Sequence, residues 1–300
     1  MKPLLLLGLL GWGTAGAAPA KTPHFGHVFV IVLENHGFGS VIGNKNMPEI
    51  NRLAGTYGLA TNFWAITHPS LPNYVALVSG STHGIQDDDA TVVLKGDNLA
   101  DQLEHAGLSW KSYLGGLPEA GSKVNFAGVF GRYARKHNPF LLFKSIQQDM
   151  ARAKQVVPLD QLASDLKSGE MPNFSLIVPD QCEDMHGTPA CRGGKNLEAT
   201  GDQVAGELVR KIMTSKSWGK NDVIFLTFDE ADESAPAQGP EKVDQGGRVV
   251  LVVVSGKARG PISSKVAFNH YSVLRTVEEG FGLPVMGEAR NSRALWGFFP

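Results

Sequence analysis

The chain has 300 residues, with 28 basic and 29 acidic side chains and a net charge of −1. A balance this close to neutral leaves no electrostatic footprint for nucleic acid. Past residue 20 no run approaches the length of uninterrupted apolar sequence that a membrane span needs, so no stable membrane insertion is expected. Glycine, at 35 residues, is well above its usual share of roughly 7%, which suits tight turns and sites built from loops.

The predicted elements run in order from the N-terminus. Lys2, the apolar run Leu4 to Leu10 and the small residues Ala18-Pro19-Ala20 have the layout of a signal peptide over 1–20. The mature chain, 21–300, is then exported to the periplasm or the extracellular space. His27 to Leu33 is a continuous apolar run rich in β-branched residues, as in a strand buried on both faces. Met47 to Tyr57 has helical spacing, Leu59 to Trp64 reads as a strand and Ser70 to Ser79 as a helix. Asn98 to Ala106 is a helix and Trp110 to Leu114 a strand. The stretch 115–158 is irregular and reads as a lid or insertion. Leu159 to Leu166 is again helical, Phe174 to Val178 a strand and Gly201 to Ser215 a long helix. Strands at Val223 to Phe228 and Val249 to Val254 follow, then a helix from His270 to Phe281 stopped by Gly282 and Pro284. Alternating strands and helices predict one α/β domain with a mostly parallel, doubly wound sheet and helices on both faces.

Ligands bind beyond the carboxyl ends of the strands in such sheets. Leu33 is followed by Glu34-Asn35-His36, Val178 by a loop carrying Asp184 and His186, and Phe228 by Asp229-Glu230. Carboxylates delivered to one edge repel unless a cation holds them, and oxygen-rich ligands point to a divalent metal ion. Cys182 and Cys191 bracket the Asp184 and His186 loop and, in an exported chain, read as a disulfide. The segment Thr67-His68-Pro69-Ser70-Leu71-Pro72-Asn73-Tyr74 enters a helix. Ser70 near its N-terminus is either a helix cap or, beside a metal site, a nucleophile with the helix dipole behind it. His24, His105 and His137 lack a carboxylate pattern and read as surface or loop histidines, and Asp87-Asp88-Asp89 as a solvated turn.

Val32 to Gly37 resembles the opening metal motif of the phosphoesterase family of bacterial and fungal acid phosphatases and phosphocholine-type phospholipases C. His68 to Tyr74 with Ser79-Gly80 resembles that family's nucleophile segment, and is similar to the Thr-x-Pro-Asn segment of nucleotide pyrophosphatases in the wider alkaline phosphatase superfamily. Asp184-Met185-His186, Phe228-Asp229-Glu230 and Asn269 to Thr276 resemble three further blocks in the family's order. The resemblance implies an alkaline-phosphatase-like fold, with Glu34, Asn35, Asp229 and Glu230 as metal ligands and Ser70 transiently phosphorylated. It implies that Asn73 donates to a phosphate oxygen, that His186 protonates the leaving group or bonds the ligand, and that Asp184 orients His186. Arg248 departs from the pattern, standing where relatives carry His-Val; a phosphate clamp and a solvated charge both fit it. His270 either reaches the site or serves the structure.

The expectation is therefore an exported, metal-dependent phosphoesterase that hydrolyses small phosphate monoesters through a phosphoserine. A phospholipase C-type phosphodiesterase and a catalytically inactive secreted binding protein of the same fold are the alternatives.

Overall fold

The computed structural model describes residues 24–191, 196–232, 246–257 and 260–299. The predicted leader at 1–20 lies outside the described residues. β1 (Val28–Leu33) is followed by α1 (Phe38–Val41), α2 (Pro48–Thr56), β2 (Gly58–Trp64), α3 (Ser70–Ser79), α4 (Leu99–His105) and β3 (Trp110–Leu114). Next come β4 (Phe126–Ala127), β5 (Tyr133–Ala134), α5 (Lys144–Gln147), α6 (Met150–Ala153) and β6 (Val156–Pro158). The chain continues through α7 (Gln161–Ser168), β7 (Phe174–Val178), α8 (Leu197–Met213), β8 (Val223–Phe228), β9 (Arg248–Ser255), β10 (Ile262–Ser264), β11 (Phe268–Asn269) and α9 (His270–Phe281).

The main sheet runs β10-β2-β9-β8-β1-β7-β3-β6, with β11 also pairing with β2. β1 lies between β7 and β8, parallel to both. Every residue of β1, β7 and β8 is buried, as in a strand covered on both faces. One helix group joins α2, α8 and α7, and another joins α9, α3 and α4. Asn98 caps α4 in a reciprocal box with Asp101, and Asn269 caps α9. Gly282, with φ of 71°, ends α9 in a left-handed turn. The predicted sheet is thus present and mostly parallel.

The sheet differs from the expectation in the direction of β9 and in the short strands β6, β10 and β11, which were not predicted. β9 is antiparallel to both β8 and β2. Its register puts its first residue, Arg248, opposite the end of β2 at Trp64, so the Gly246-Gly247 turn sits at the carboxyl edge of the parallel strands. Of the short strands, β6 lies in the stretch 115–158 and pairs with β3 at the sheet's edge. Three residues with a terminal proline carry too little periodicity to be read as a strand.

Away from the carboxyl edge, α9 buries Glu278 completely. One of its oxygens accepts the Met286 N–H at 3.0 Å, and the other has no hydrogen-bond partner among the described residues. Burial pushes its carboxyl up to about 8 from an ordinary 4.5, against the opposing bond from Met286. The folded protein then holds a proton that the unfolded chain releases above about 4.5. Its contribution is complete below the unfolded value and is lost as pH rises through the folded one. Relative to Glu278→Gln, the wild type is expected to lose up to about 1.4 kcal/mol of stability per pH unit within that window. Thermal unfolding of both proteins across the window measures the difference, in which groups common to both cancel. A flat difference would contradict the assignment.

Candidate active site

The parallel strands deliver Glu34, Ser70, Asp184, Asp229 and Glu230 to one edge, all of them buried. β1 and β8 run parallel in register to their ends at Leu33 and Phe228, so Glu34 and Asp229 emerge side by side. The Asn35 N–H, in a residue with φ of 55°, donates to Asp229 Oδ1 at 3.0 Å. Asparagine tolerates this left-handed backbone better than most side chains. Asn35 itself is half-buried.

The N-cap of α3 is Pro69, so Ser70 is its first helical residue and not its cap. Its Oγ lies 3.1 Å from Glu34 Oε2 and 3.2 Å from Glu230 Oε1, with Lys136 Nζ at 3.4 Å. The loop before it is held from two sides. A Cβ on Gly246 would lie 2.4 Å from the Thr67 carbonyl oxygen, so only glycine allows the turn before β9 to approach. Asn73 accepts from the Ile66 and Thr67 N–H groups and donates to the Thr67 and Pro69 carbonyls. Both amide protons are thereby committed to the loop, which corrects the expected donation to a phosphate oxygen. Asn73 here holds the backbone that presents Ser70.

Asp184 also departs from its expected part. Its Oδ1 accepts the backbone N–H of His186 at 2.8 Å, while Oδ2 lies 3.4 Å from His137 Nδ1. The His186 ring instead meets the Gly187 carbonyl through Nδ1 at 2.9 Å and Lys136 Nζ through Nε2 at 3.2 Å. Asp184 therefore fixes the backbone of this loop without touching the ring. The expected disulfide between Cys182 and Cys191 is present and closes the same loop.

Lys136 and His137 were not found by sequence reasoning. They lie in the short turn Arg135–His137 after β5, with no strand end to point to them. His137, expected at the surface, is buried between Glu34 and Asp184 and stacks on Tyr74. Its Nε2 is 3.0 Å from Glu34 Oε1 but is not aligned as a hydrogen bond, and the Tyr74 hydroxyl occupies that oxygen at 2.6 Å. Asp88, within the predicted solvated turn, accepts the Leu71 N–H and pairs with Lys136 at 2.7 Å. Lys136 thus stands among Ser70, Asp88 and His186.

Electrostatically the edge is crowded. Burial, followed by the charges of Glu34 and Glu230, raises the Asp229 carboxyl well above its ordinary value. Burial lifts Asp184 to about 8 and depresses His137 to about 4. For Lys136, burial acts downward but Glu34, Asp88 and Asp229 outweigh it, so its ammonium is held more firmly than usual. Asp184 Oδ2, Asp229 Oδ2 and His137 Nε2 are buried without a hydrogen-bond partner among the described residues. Ligand atoms of Glu34, His137 and His186 lie within 4.8 Å of one another. Hard oxygens with one or two imidazoles suit a divalent cation.

The remaining candidates serve the frame. Arg248 donates to the Thr61 carbonyl and lies with its guanidinium carbon 3.8 Å from the centre of the Phe38 ring, so it is neither a clamp at Ser70 nor a solvated charge. His270 is buried and contacts the Asp229 carbonyl oxygen through Nε2 at 2.6 Å, supporting the backbone behind the site. His68 Nδ1 lies 2.6 Å from Glu230 Oε2. His36 bonds the Glu34 carbonyl and packs near Phe228.

A family model described as Phosphoesterase family matches residues 44–284. The phosphatidylinositol-3-phosphatase of Mycobacterium tuberculosis (strain ATCC 25618 / H37Rv) is 31% identical over 290 residues, covering 94% of this chain and 86% of that protein. The phosphate-repressible acid phosphatase of Penicillium chrysogenum is 30% identical over 263 residues, covering 86% of this chain but 59% of its own length. Among solved structures, a protein in the alkaline phosphatase superfamily from Vibrio parahaemolyticus superposes with a TM-score of 0.57 at 14% identity, over 91% of this chain and 72% of that one. The alkaline-phosphatase-like α/β fold that the resemblance implied is the fold of this structure.

Proposed function

The chain belongs to the phosphoesterase family, and from that premise we propose that it hydrolyses phosphate monoesters with Ser70 as nucleophile. The observation that carries this reading is the position of the Ser70 hydroxyl, buried at a helix N-terminus between two carboxylates and an ammonium. Glu34 Oε2 or Glu230 Oε1 accepts the Ser70 proton, and Oγ bonds to phosphorus as the ester oxygen leaves. Lys136 opposes the charge gathering on the phosphoryl oxygens, since the Leu71 N–H is taken by Asp88 and Pro72 has none. In this reading the departing oxygen takes its proton from the Lys136 ammonium, which half-buried His186 contacts through Nε2. Water then cleaves the phosphoserine and frees the enzyme.

Glu34, Asp229 and Glu230, with Asn35 beside them, are the residues that would hold a divalent cation, and His137 and His186 extend the same donor set around Glu34. Bound there, such an ion would offset the carboxylates and favour the ionised Ser70 hydroxyl. Export is part of the same proposal. It is supported by the Cys182–Cys191 bridge, and no helix among the described residues is long and apolar enough to cross a membrane.

A second reading places the monoester on a lipid headgroup, as the name of the mycobacterial relative says of that protein. Both readings require monoester over diester. Purified enzyme is expected to hydrolyse p-nitrophenyl phosphate at least about a hundredfold faster than bis-p-nitrophenyl phosphate, a difference of about 2.7 kcal/mol in barrier. Preference for the diester would support the phospholipase C-type alternative. Loss of both activities in metal-loaded protein would support the inactive binding protein.

A further inference from the structure

The hairpin β4–β5 leaves apolar side chains in water. Val124, Phe126, Val129 and Phe130 are 41%, 69%, 69% and 70% exposed. These four, within seven residues, stand among only seven large apolar side chains left exposed in the described residues. Scattered single exposures are ordinary, but two exposed phenylalanines and two exposed valines within seven residues of one hairpin call for a partner. Resting on the phosphomonoesterase reading, we propose that this hairpin inserts into an anionic lipid surface and brings lipid-borne phosphate monoesters to Ser70.

Three observations select a lipid surface. The first is continuity with the site. β5 leads directly into the turn Arg135–His137, where Lys136 Nζ lies 3.4 Å from Ser70 Oγ. Phe130 and Lys136 are six positions apart, so their Cα atoms are at most about 22 Å apart. The backbone of the hairpin is also tied to the opposite wall of the site, through the Gln181 N–H on the Arg132 carbonyl at 2.9 Å and the Gln181 side chain on the Gly131 carbonyl. The second is charge. From Ser122 to His137 the sequence holds Lys123, Arg132, Arg135 and Lys136 and no acidic residue. Arg132 pairs with Asp180 and Arg135 is buried, which leaves Lys123 as the exposed cation next to the tip. Its ammonium bonds the Gln147 carbonyl at 2.6 Å. An acid-free apolar tip beside a lysine suits anionic headgroups. The third is size. The hairpin has two residues in each strand and pairs outside the main sheet. It is too small to supply the roughly 1,200–2,000 Å² of a stable protein interface, whereas shallow insertion of a few aromatic and aliphatic side chains needs no such area.

The test uses the full mature chain and sedimentation with phosphatidylcholine vesicles, with and without phosphatidylserine. Wild type is expected to bind the mixed vesicles at least about tenfold more strongly than the variant Phe126→Ser, Val129→Ser, Phe130→Ser, and less strongly as salt rises. Hydrolysis of p-nitrophenyl phosphate, a soluble substrate, is expected to be unchanged by the triple variant. That assay also separates the two readings: if neither protein hydrolyses it, the catalytic reading fails while the vesicle result still decides the hairpin's role. Should the triple variant not fold, Phe126→Trp replaces it. Its emission, with the wild-type signal subtracted, is expected to shift to the blue when mixed vesicles are added. Equal sedimentation of wild type and variant, no sedimentation of either, or an unshifted emission overturns the proposal. So does a wild-type dimer in solution that the triple variant abolishes, since the tip would then cover a second copy of this chain.

Discussion

Ser70→Ala is expected to lower kcat for p-nitrophenyl phosphate by about a thousandfold or more while the protein stays folded. The expectation follows from what the hydroxyl does and does not touch. It caps no helix turn, because Pro69 occupies the N-cap of α3. Among the described residues its one proton goes to Glu34 or Glu230, and Lys136 donates to its oxygen. Removing it deletes two hydrogen bonds worth about 1 kcal/mol each and also relieves the crowding of a buried hydroxyl between like charges. The stability change should therefore be small, in either direction. Acid quenching of wild type during turnover should trap phosphate on a peptide containing Ser70, and the variant should yield none. A variant retaining more than about one per cent of wild-type kcat would show that attack on phosphorus comes from another group.

The residues that the sequence made legible are those that a strand end delivers. Glu34, Asp229 and Glu230 each follow a wholly buried strand, and that pattern is visible without coordinates because apolar runs and their ends are local. Ser70 stood in a loop entering a helix, where its two possible parts could be told apart only by finding what occupies the cap. Direction was not legible. β9 is buried at every residue but its first, much like the parallel strands β1, β7 and β8, since a strand covered on both faces reads alike either way. Lys136 and His137 were lost for a different reason. They come from a short turn held by tertiary contacts, with the Arg135 guanidinium on the Lys123 and Leu141 carbonyls, and nothing local marks such a turn. The resemblance implied that Asn73 donates to a phosphate oxygen and that Asp184 orients the His186 ring. The structure uses their hydrogen-bonding capacity to fix the loops on which Ser70 and His186 ride.

Removal of metal is expected to abolish activity and to lower the melting temperature together. Glu34, Asp184, Asp229 and Glu230 are buried at one edge, and among the described residues Lys136 is the ammonium that faces them. Two like charges about 4 Å apart repel by about 4 kcal/mol at an effective dielectric constant of about 20, so the cluster opposes folding unless further positive charge offsets it. A cation present at a hundred times its dissociation constant adds about 2.7 kcal/mol. In a chain of this size that corresponds to a shift on the order of 5–10 °C. Asp229→Asn separates this account from a simple loss of packing, because it changes two forms of the protein in opposite ways. The substitution should reduce metal content and activity and remove most of the shift on chelation. The metal-free variant, however, should be no less stable than metal-free wild type: it removes a carboxyl whose ionisation burial and its neighbours already oppose, and its amide can donate where Asp229 Oδ2 has no hydrogen-bond partner among the described residues. Elemental analysis and thermal unfolding of both proteins, with and without chelator, supply all four values without an activity assay. Wild type that contains no metal and neither loses activity nor melts earlier after exhaustive chelation would sink the metal assignment. A metal-free Asp229→Asn protein several degrees less stable than metal-free wild type would instead make Asp229 a structural partner of the Asn35 backbone.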